Sequence, residues 1–213
     1  MYKKLAMKGL FIAFEGITGS GKKTHIKLLT EELLVRKISF TTLSFPDFDN
    51  DIARLTKRLQ LDAYTLSLLY AADRSFSQER IKSLLENGQV VITDRYCYSN
   101  FAYQAAKGLP LEWLMEIEKN IIKPDIVFLI DVPVETTLTR VRQLSLEDFS
   151  KREILDRIEK EKEILEKVRE IFHKLAKENK EAKWFVIDAT KSIREVHEQI
   201  WSILEPEIEK LKK

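Results

Sequence analysis

An α/β fold is predicted: one five-stranded parallel sheet with helices on both faces. Three observations carry that expectation. Five short apolar runs alternate with helix-periodic stretches along the whole chain. The first run passes directly into a glycine-rich loop, "GITGSGKKTHI", that opens a helix. No repeat, low-complexity tract or linker interrupts the pattern, so residues 1–213 read as a single domain.

Residues 10–14, "LFIAF", are apolar throughout, as a strand buried on both faces must be. Residues 22–37 place Ile26, Leu29, Leu33 and Leu34 at helical spacing. Residues 39–45, "SFTTLSF", supply a second strand, stopped by Pro46. Residues 51–60 and 63–86 read as helices, the latter closed by Asn87–Gly88. Residues 89–93, "QVVIT", are the third strand and run into Asp94. A helical stretch from Ser99 is broken by "GLP" at 108–110 and resumes to about Asn120. Pro124 introduces the fourth strand, "IVFLI", at 126–130. Residues 135–143 look helical, 145–150 are the candidate mobile loop, and 151–179 are long, charged and helix-periodic. Residues 184–187 are the fifth strand, and a helix follows from Ser192. Ligands of such sheets bind outside the carboxyl ends of the strands. Those ends here are Glu15–Gly16, Phe45–Pro46, Asp94–Arg95 and Asp131.

Composition excludes several classes of function. The 36 basic and 34 acidic residues leave a net charge of +2, so no bulk field argues for nucleic acid or a membrane surface. A charged fraction of 33% suits a heat-adapted surface with many ion pairs. The single cysteine, Cys97, excludes a disulfide within the chain and fits a reducing compartment. His25, His173 and His197 are scattered in sequence, which argues against zinc. No apolar run reaches the ~20 residues that span a bilayer. Residues 1–8 lack the apolar core of a signal peptide. The expectation is a cytoplasmic protein.

The loop at 16–24 comprises Gly16, Ile17, Thr18, Gly19, Ser20, Gly21, Lys22, Lys23 and Thr24. Its glycines allow backbone N–H groups to turn inward on an anion, and the following helix adds its positive end. Lys22 stands where a lysine reaches the β- and γ-phosphates of a nucleotide. A plain glycine-rich turn is the bland alternative. The buried-type strand before the loop and the helix after it favour nucleotide binding. The loop alone does not choose among kinase, GTPase and transporter ATPase.

A second signature narrows the choice. In "TDRYCYSNFAYQ", Asp94, Arg95 and Tyr96 stand at a strand end, where Arg95 can clamp a phosphate bidentately. In "LLYAADR", Tyr70 and Arg74 lie four residues apart on one helical face. Tyr70 alone would read as core. Beside a guanidinium, its ring suits a flat, hydrogen-bonding base.

Together these segments resemble the thymidylate kinase family, phosphate-loop enzymes that phosphorylate dTMP with ATP. "FEG", "FP" at Phe45–Pro46, "LLYAADR", "DRYCYSNFAYQ", "KPDIVFLID" and "VIDATKSIREVHEQI" carry the resemblance over nearly the whole chain. It implies ATP at residues 16–24 and dTMP at Phe45, Tyr70, Arg74, Arg95, Asn100 and Tyr103. Tyr70 then stacks on thymine, Arg74 bonds its O4, Arg95 holds the acceptor phosphate and Asn100 lies near the base. Tyr103 sits beneath the sugar, where a ribose 2′-OH would go. A homodimer is also implied.

Phosphoryl transfer needs two anionic nucleotides held in line with their charge neutralised. Lys22, Arg95, Mg²⁺ and the cations of a lid meet that need. Gly19 and Ser20 offer no arginine within the loop, so the chain is similar to members whose lid supplies it. Arg140, Arg142, Lys151 and Arg152 surround a lid expected at 140–152. Each alone could be a solvated helix charge. Asp94 is the expected Mg²⁺ residue, through water.

Three positions depart from the family pattern. Thr18 replaces its usual aspartate, and Phe48 stands where an arginine often follows "FP". Lys23 replaces the hydroxyl that ligates Mg²⁺, and an ammonium has no lone pair to give. Thr24 cannot take over, because one residue along a helix turns the side chain by ~100°. Two alternatives stay open: a kinase of other deoxynucleoside monophosphates, and a nucleotide-binding protein with little transfer activity.

Overall fold

The computed structural model describes residues 9–147, 160 and 162–211. All five expected strands form: β1 (Leu10–Glu15), β2 (Phe40–Ser44), β3 (Val90–Asp94), β4 (Ile126–Asp131) and β5 (Lys183–Asp188). They pair in parallel in the order β2-β3-β1-β4-β5. The burial of each strand follows from its place. Central β1 is buried at every residue and β4 at all but Asp131, whereas the edge strands β2 and β5 leave several side chains exposed. Only a sheet covered on both faces buries consecutive residues of a strand. Phe11, Ile12, Phe14, Val91, Ile92, Val127 and Phe128 form the centre of that core.

Among the described residues the helices are α1 (Lys22–Val35), α2 (Asp51–Arg58), α3 (Ala63–Phe76), α4 (Gln78–Glu86), α5 (Cys97–Ala105), α6 (Leu111–Ile117), α7 (Val134–Glu147), α8 (Lys162–Glu178) and α9 (Ile193–Leu211). Helix α1 packs on α9, and α5 packs on α8. None is long and apolar enough to cross a membrane.

Most element ends shift by one to three residues from expectation, and three differences are larger or have a visible cause. The helix predicted over 63–86 breaks at Ser77. There the Ser77 hydroxyl donates to Asp73 O and the Gln78 amide donates to Arg74 O, so side chains satisfy carbonyls at the break. Helix α5 starts at Cys97 rather than Ser99, because its first turn is capped by a residue 84 positions away, Glu15. Residues 145–147, expected in the loop, continue α7. The rest of that loop lies outside the described residues.

The strand order reverses its direction of growth at β1, with β3 on one side and β4 on the other. A crevice opens at such a point, beyond the carboxyl ends of the strands. The loop after β1 and the Asp94–Arg95 turn after β3 both sit there.

Candidate active site

The loop from Gly16 to Gly21 needs backbone angles that side chains disfavour. Gly16, Gly19 and Gly21 lie at φ +142°, +80° and +103°. A Cβ on Gly16 would also stand 2.5 Å from Ile130 O, so β4 holds the loop closely. Lys22 folds over the loop, its ammonium donating to Gly16 O at 3.0 Å and Ile17 O at 2.9 Å. Burial and the nearby Arg95 charge push Lys22 down to about 7. Phosphate oxygens brought against it favour the ammonium again. The loop amides are not all directed at an anion. Thr18 N–H donates to Tyr103 Oη at 3.0 Å and Ser20 N–H to Ile17 O at 3.3 Å.

Arg95 occupies the left-handed region at φ +67°, with its N–H donating to Phe14 O at 2.9 Å. A bulky residue persists there only where its surroundings over-determine it. Its side chain is held on several sides. One nitrogen donates to Gly16 O (3.2 Å) and Ser99 Oγ (2.9 Å), the other to Thr18 Oγ1 and Tyr103 Oη (both 3.3 Å). The guanidinium carbon lies 5.1 Å from the Tyr103 ring centre. Burial lowers its basicity, but Tyr103 and Glu15 outweigh that and raise it. Arg95 thus bridges the glycine-rich loop and α5.

Glu15 and Ser99 underlie this arrangement. Glu15 is fully buried and accepts from Tyr96 N–H (2.8 Å), Ser99 N–H (3.2 Å) and the Ser99 hydroxyl (2.6 Å). Ser99 relays the carboxylate to Arg95. Burial pushes Glu15 up to about 7, with the Ser99 hydrogen bond and the Arg95 charge pulling the other way. The glutamate of "FEG" was visible in the sequence, but its partner Ser99 carried no separate signal.

Residues expected around the base converge on α3 and α5. Arg74 is 2% exposed, and Asn100 is 3% exposed. Tyr70 is half-buried on the same α3 face. Sequence reasoning missed Glu118, which pairs bidentately with Arg74 at 2.5 Å for both bonds. Burial lowers the basicity of Arg74, and the Glu118 charge and hydrogen bonds more than reverse it. A lone glutamate after α6 offers no periodicity or motif by which to find it. Phe45, 3% exposed, packs edge-to-face on Tyr96 with ring centres 5.5 Å apart.

Asp94 Oδ1 is buried without a hydrogen-bond partner. Asp94 also lines a groove of ≈ 570 Å³ shared with Lys23, Lys27, Arg80, Asp47 and Asp49. Lys23 and Thr24 are exposed at the start of α1.

The thymidylate kinase family model matches residues 14–200. The chain is 39% identical over 210 residues to the probable thymidylate kinase of Thermococcus kodakarensis, covering 92% of this chain and 97% of that one. It is 36% identical over 199 residues to thymidylate kinase of Plasmodium falciparum (91% and 88% covered). Thymidylate kinase of Dictyostelium discoideum is 32% identical over 216 residues (98% and 90%). The chain belongs to the thymidylate kinase family.

The departures from the thymidylate kinase pattern now have a structural setting. The Thr18 hydroxyl shares a 3.1 Å hydrogen bond with Tyr103 Oη, beside Arg95. Phe48 has no donor with which to clamp a phosphate; Lys57 Nζ stands 3.4 Å from the centre of its ring. Of the lid cations, Arg140 donates to Ala189 O at 2.6 Å, which ties α7 to the turn after β5. Arg142 is exposed on the same helix. Lys151 and Arg152 lie outside the described residues. The fold also gathers what the sequence separates: His25 is 4% exposed and feels the charges of His197 and Arg140. Burial first, then those charges, push His25 down to about 4. Among the described residues, no group of three histidine, cysteine, aspartate or glutamate side chains could hold a metal.

Proposed function

We propose that this protein transfers the γ-phosphoryl group of ATP to dTMP, releasing ADP and dTDP, with the two nucleotides meeting at Arg95. The observation that carries the residue roles is the Arg95 side chain, which reaches both the phosphate loop (Gly16 O) and the α5 residues Ser99 and Tyr103. An acceptor phosphate there faces the γ-phosphate held by Lys22 and the first turn of α1. The acceptor oxygen forms a bond to the γ-phosphorus as the β,γ-bridging bond breaks and its electrons pass to ADP. Little covalent work falls to the protein; positioning and charge neutralisation dominate. Lys22 and Arg95 supply fixed positive charge, and Arg140, Arg142 or Arg152 adds to it from the lid.

Mg²⁺ fits the residues present. The unpartnered Asp94 Oδ1 is a hard carboxylate oxygen at the phosphate end of the crevice, and Mg²⁺ is held in such sites by one or two carboxylates, waters and phosphates. Asp94 would hold it, and the ion would offset charge on the β- and γ-phosphates. We read the protein as a cytoplasmic homodimer. The exposed apolar residues Leu59, Tyr64 and Leu68 support a partner surface on α3 and the turn before it.

The test is product formation. ATP, Mg²⁺ and dTMP incubated with the protein are expected to give dTDP and ADP in equal amounts, with Lys22→Ala reducing the rate at least ~100-fold. Nucleotide binding without dTDP would contradict the proposal.

A further inference from the structure

We infer that Glu118 decides which pyrimidine edge this kinase accepts, acting as a positioning residue for Arg74 and Asn100; the inference rests on the acceptor-site reading above. Glu118 is 1% exposed and its two oxygens take the Nε and Nη2 edge of Arg74. Its Oε1 also accepts from Asn100 Nδ2 at 2.9 Å. The same amide nitrogen donates to Ser67 O at 3.3 Å. Both partners of that nitrogen are pure acceptors. Reversing the amide would set Oδ1 against a carboxylate and a carbonyl, so the orientation is forced.

Asn100 Oδ1 therefore faces away from Glu118, buried and without a partner. An unsatisfied buried acceptor is costly enough to point to a ligand N–H. On Arg74, Glu118 leaves Nη1 as the nitrogen it does not take. An acceptor on Asn100 and a donor on Arg74, two residues joined through Glu118, match a ring N–H beside a carbonyl, the edge of thymine or uracil. Cytosine presents the reverse: a ring acceptor beside an amine. Without the carboxylate, only the longer 3.3 Å bond to Ser67 O is left to keep Oδ1 outward.

The turn carrying Glu118 is itself anchored. Ile122 N–H donates to Gln78 Oε1 at 2.7 Å, while Gln78 Nε2 donates to Arg74 O at 2.7 Å. Lys123 donates to Glu118 O at 2.9 Å. The carboxylate and the residues it orients are thus held by one network.

The experiment compares kcat/KM for dTMP and 5-methyl-dCMP, which match in size and differ only at the edge. Wild type is expected to prefer dTMP by at least ~100-fold, since the wrong base leaves both buried groups unpaired. Glu118→Gln should shrink that ratio by roughly 10-fold or more, with the KM for ATP nearly unchanged. Glu118→Asp, which keeps the charge but draws it back, should fall between. Parallel loss of both acceptors at a constant ratio would show a merely structural role and overturn the inference. Should Glu118→Gln not fold, an unchanged ratio in Glu118→Asp overturns it equally. Equal use of both acceptors by wild type also overturns it. Phosphorylation of neither acceptor by wild type defeats the acceptor-site reading itself, and this inference with it.

Discussion

Lys23 shows what one side chain changes at the phosphate site. It stands at the first turn of α1, where backbone N–H groups already carry positive partial charge, and it shares a groove with Asp94. Were Mg²⁺ held at Asp94 as proposed, an ammonium there would compete with it for the same neighbourhood without being able to ligate it. Lys23→Ser is accordingly expected to lower the Mg²⁺ concentration for half-maximal rate and to raise kcat modestly. A Mg²⁺ titration of initial rate at saturating ATP and dTMP measures both. A variant that needs more Mg²⁺ would show that Lys23 is itself a working cation. Arg74 carries a second prediction at this scale. Truncating it strands the buried Glu118 carboxylate, so Arg74→Met should cost about 3–5 kcal/mol of stability by denaturant unfolding. Adding Glu118→Gln should recover most of that stability without restoring dTMP use. Recovery of both would remove Arg74 from base recognition.

At the scale of elements, the pairing of α1 with α9 brings His25 and His197 together beside Arg140 of α7. His25 falls from 6.5 to about 4 on folding. The unfolded chain then binds more protons between those values, so stability falls as pH drops from about 6.5 towards 4. His25→Gln cannot titrate. Between pH 7 and pH 5, wild type should lose ~2 kcal/mol relative to this variant. Parallel pH profiles for the two proteins would contradict the assignment. This cluster was not legible beforehand, because residues 25, 140 and 197 meet only through tertiary packing. The start of α5 was hidden for the same reason, since a cap from Glu15 decides it, whereas the helix break at Ser77 turns on local side-chain bonds that periodicity does not register. The strands themselves were legible. A fully buried parallel strand must be apolar at every position, and "LFIAF" and "IVFLI" have no other reading at that length.

For the whole molecule, one sheet brings the loop after β1 and the turn after β3 together where the strand order reverses at β1. The phosphate loop, Asp94 and Arg95 could be located from sequence because each sits at a strand end, where this topology puts ligands. Glu118 and Ser99 could not, since they act only through residues they touch. A kinase of this family is expected to prefer dTMP as its acceptor. Initial rates with ATP and Mg²⁺ over dTMP, dUMP, dCMP, dGMP and UMP measure that preference. The highest kcat/KM is expected for dTMP, with dUMP next among the deoxynucleotides, and dCMP and dGMP far below. UMP is expected to fall below dUMP, the outcome that a Tyr103 ring beneath the acceptor's sugar requires. A higher kcat/KM for dCMP or dGMP than for dTMP, or ADP release without any phosphorylated acceptor, would contradict it.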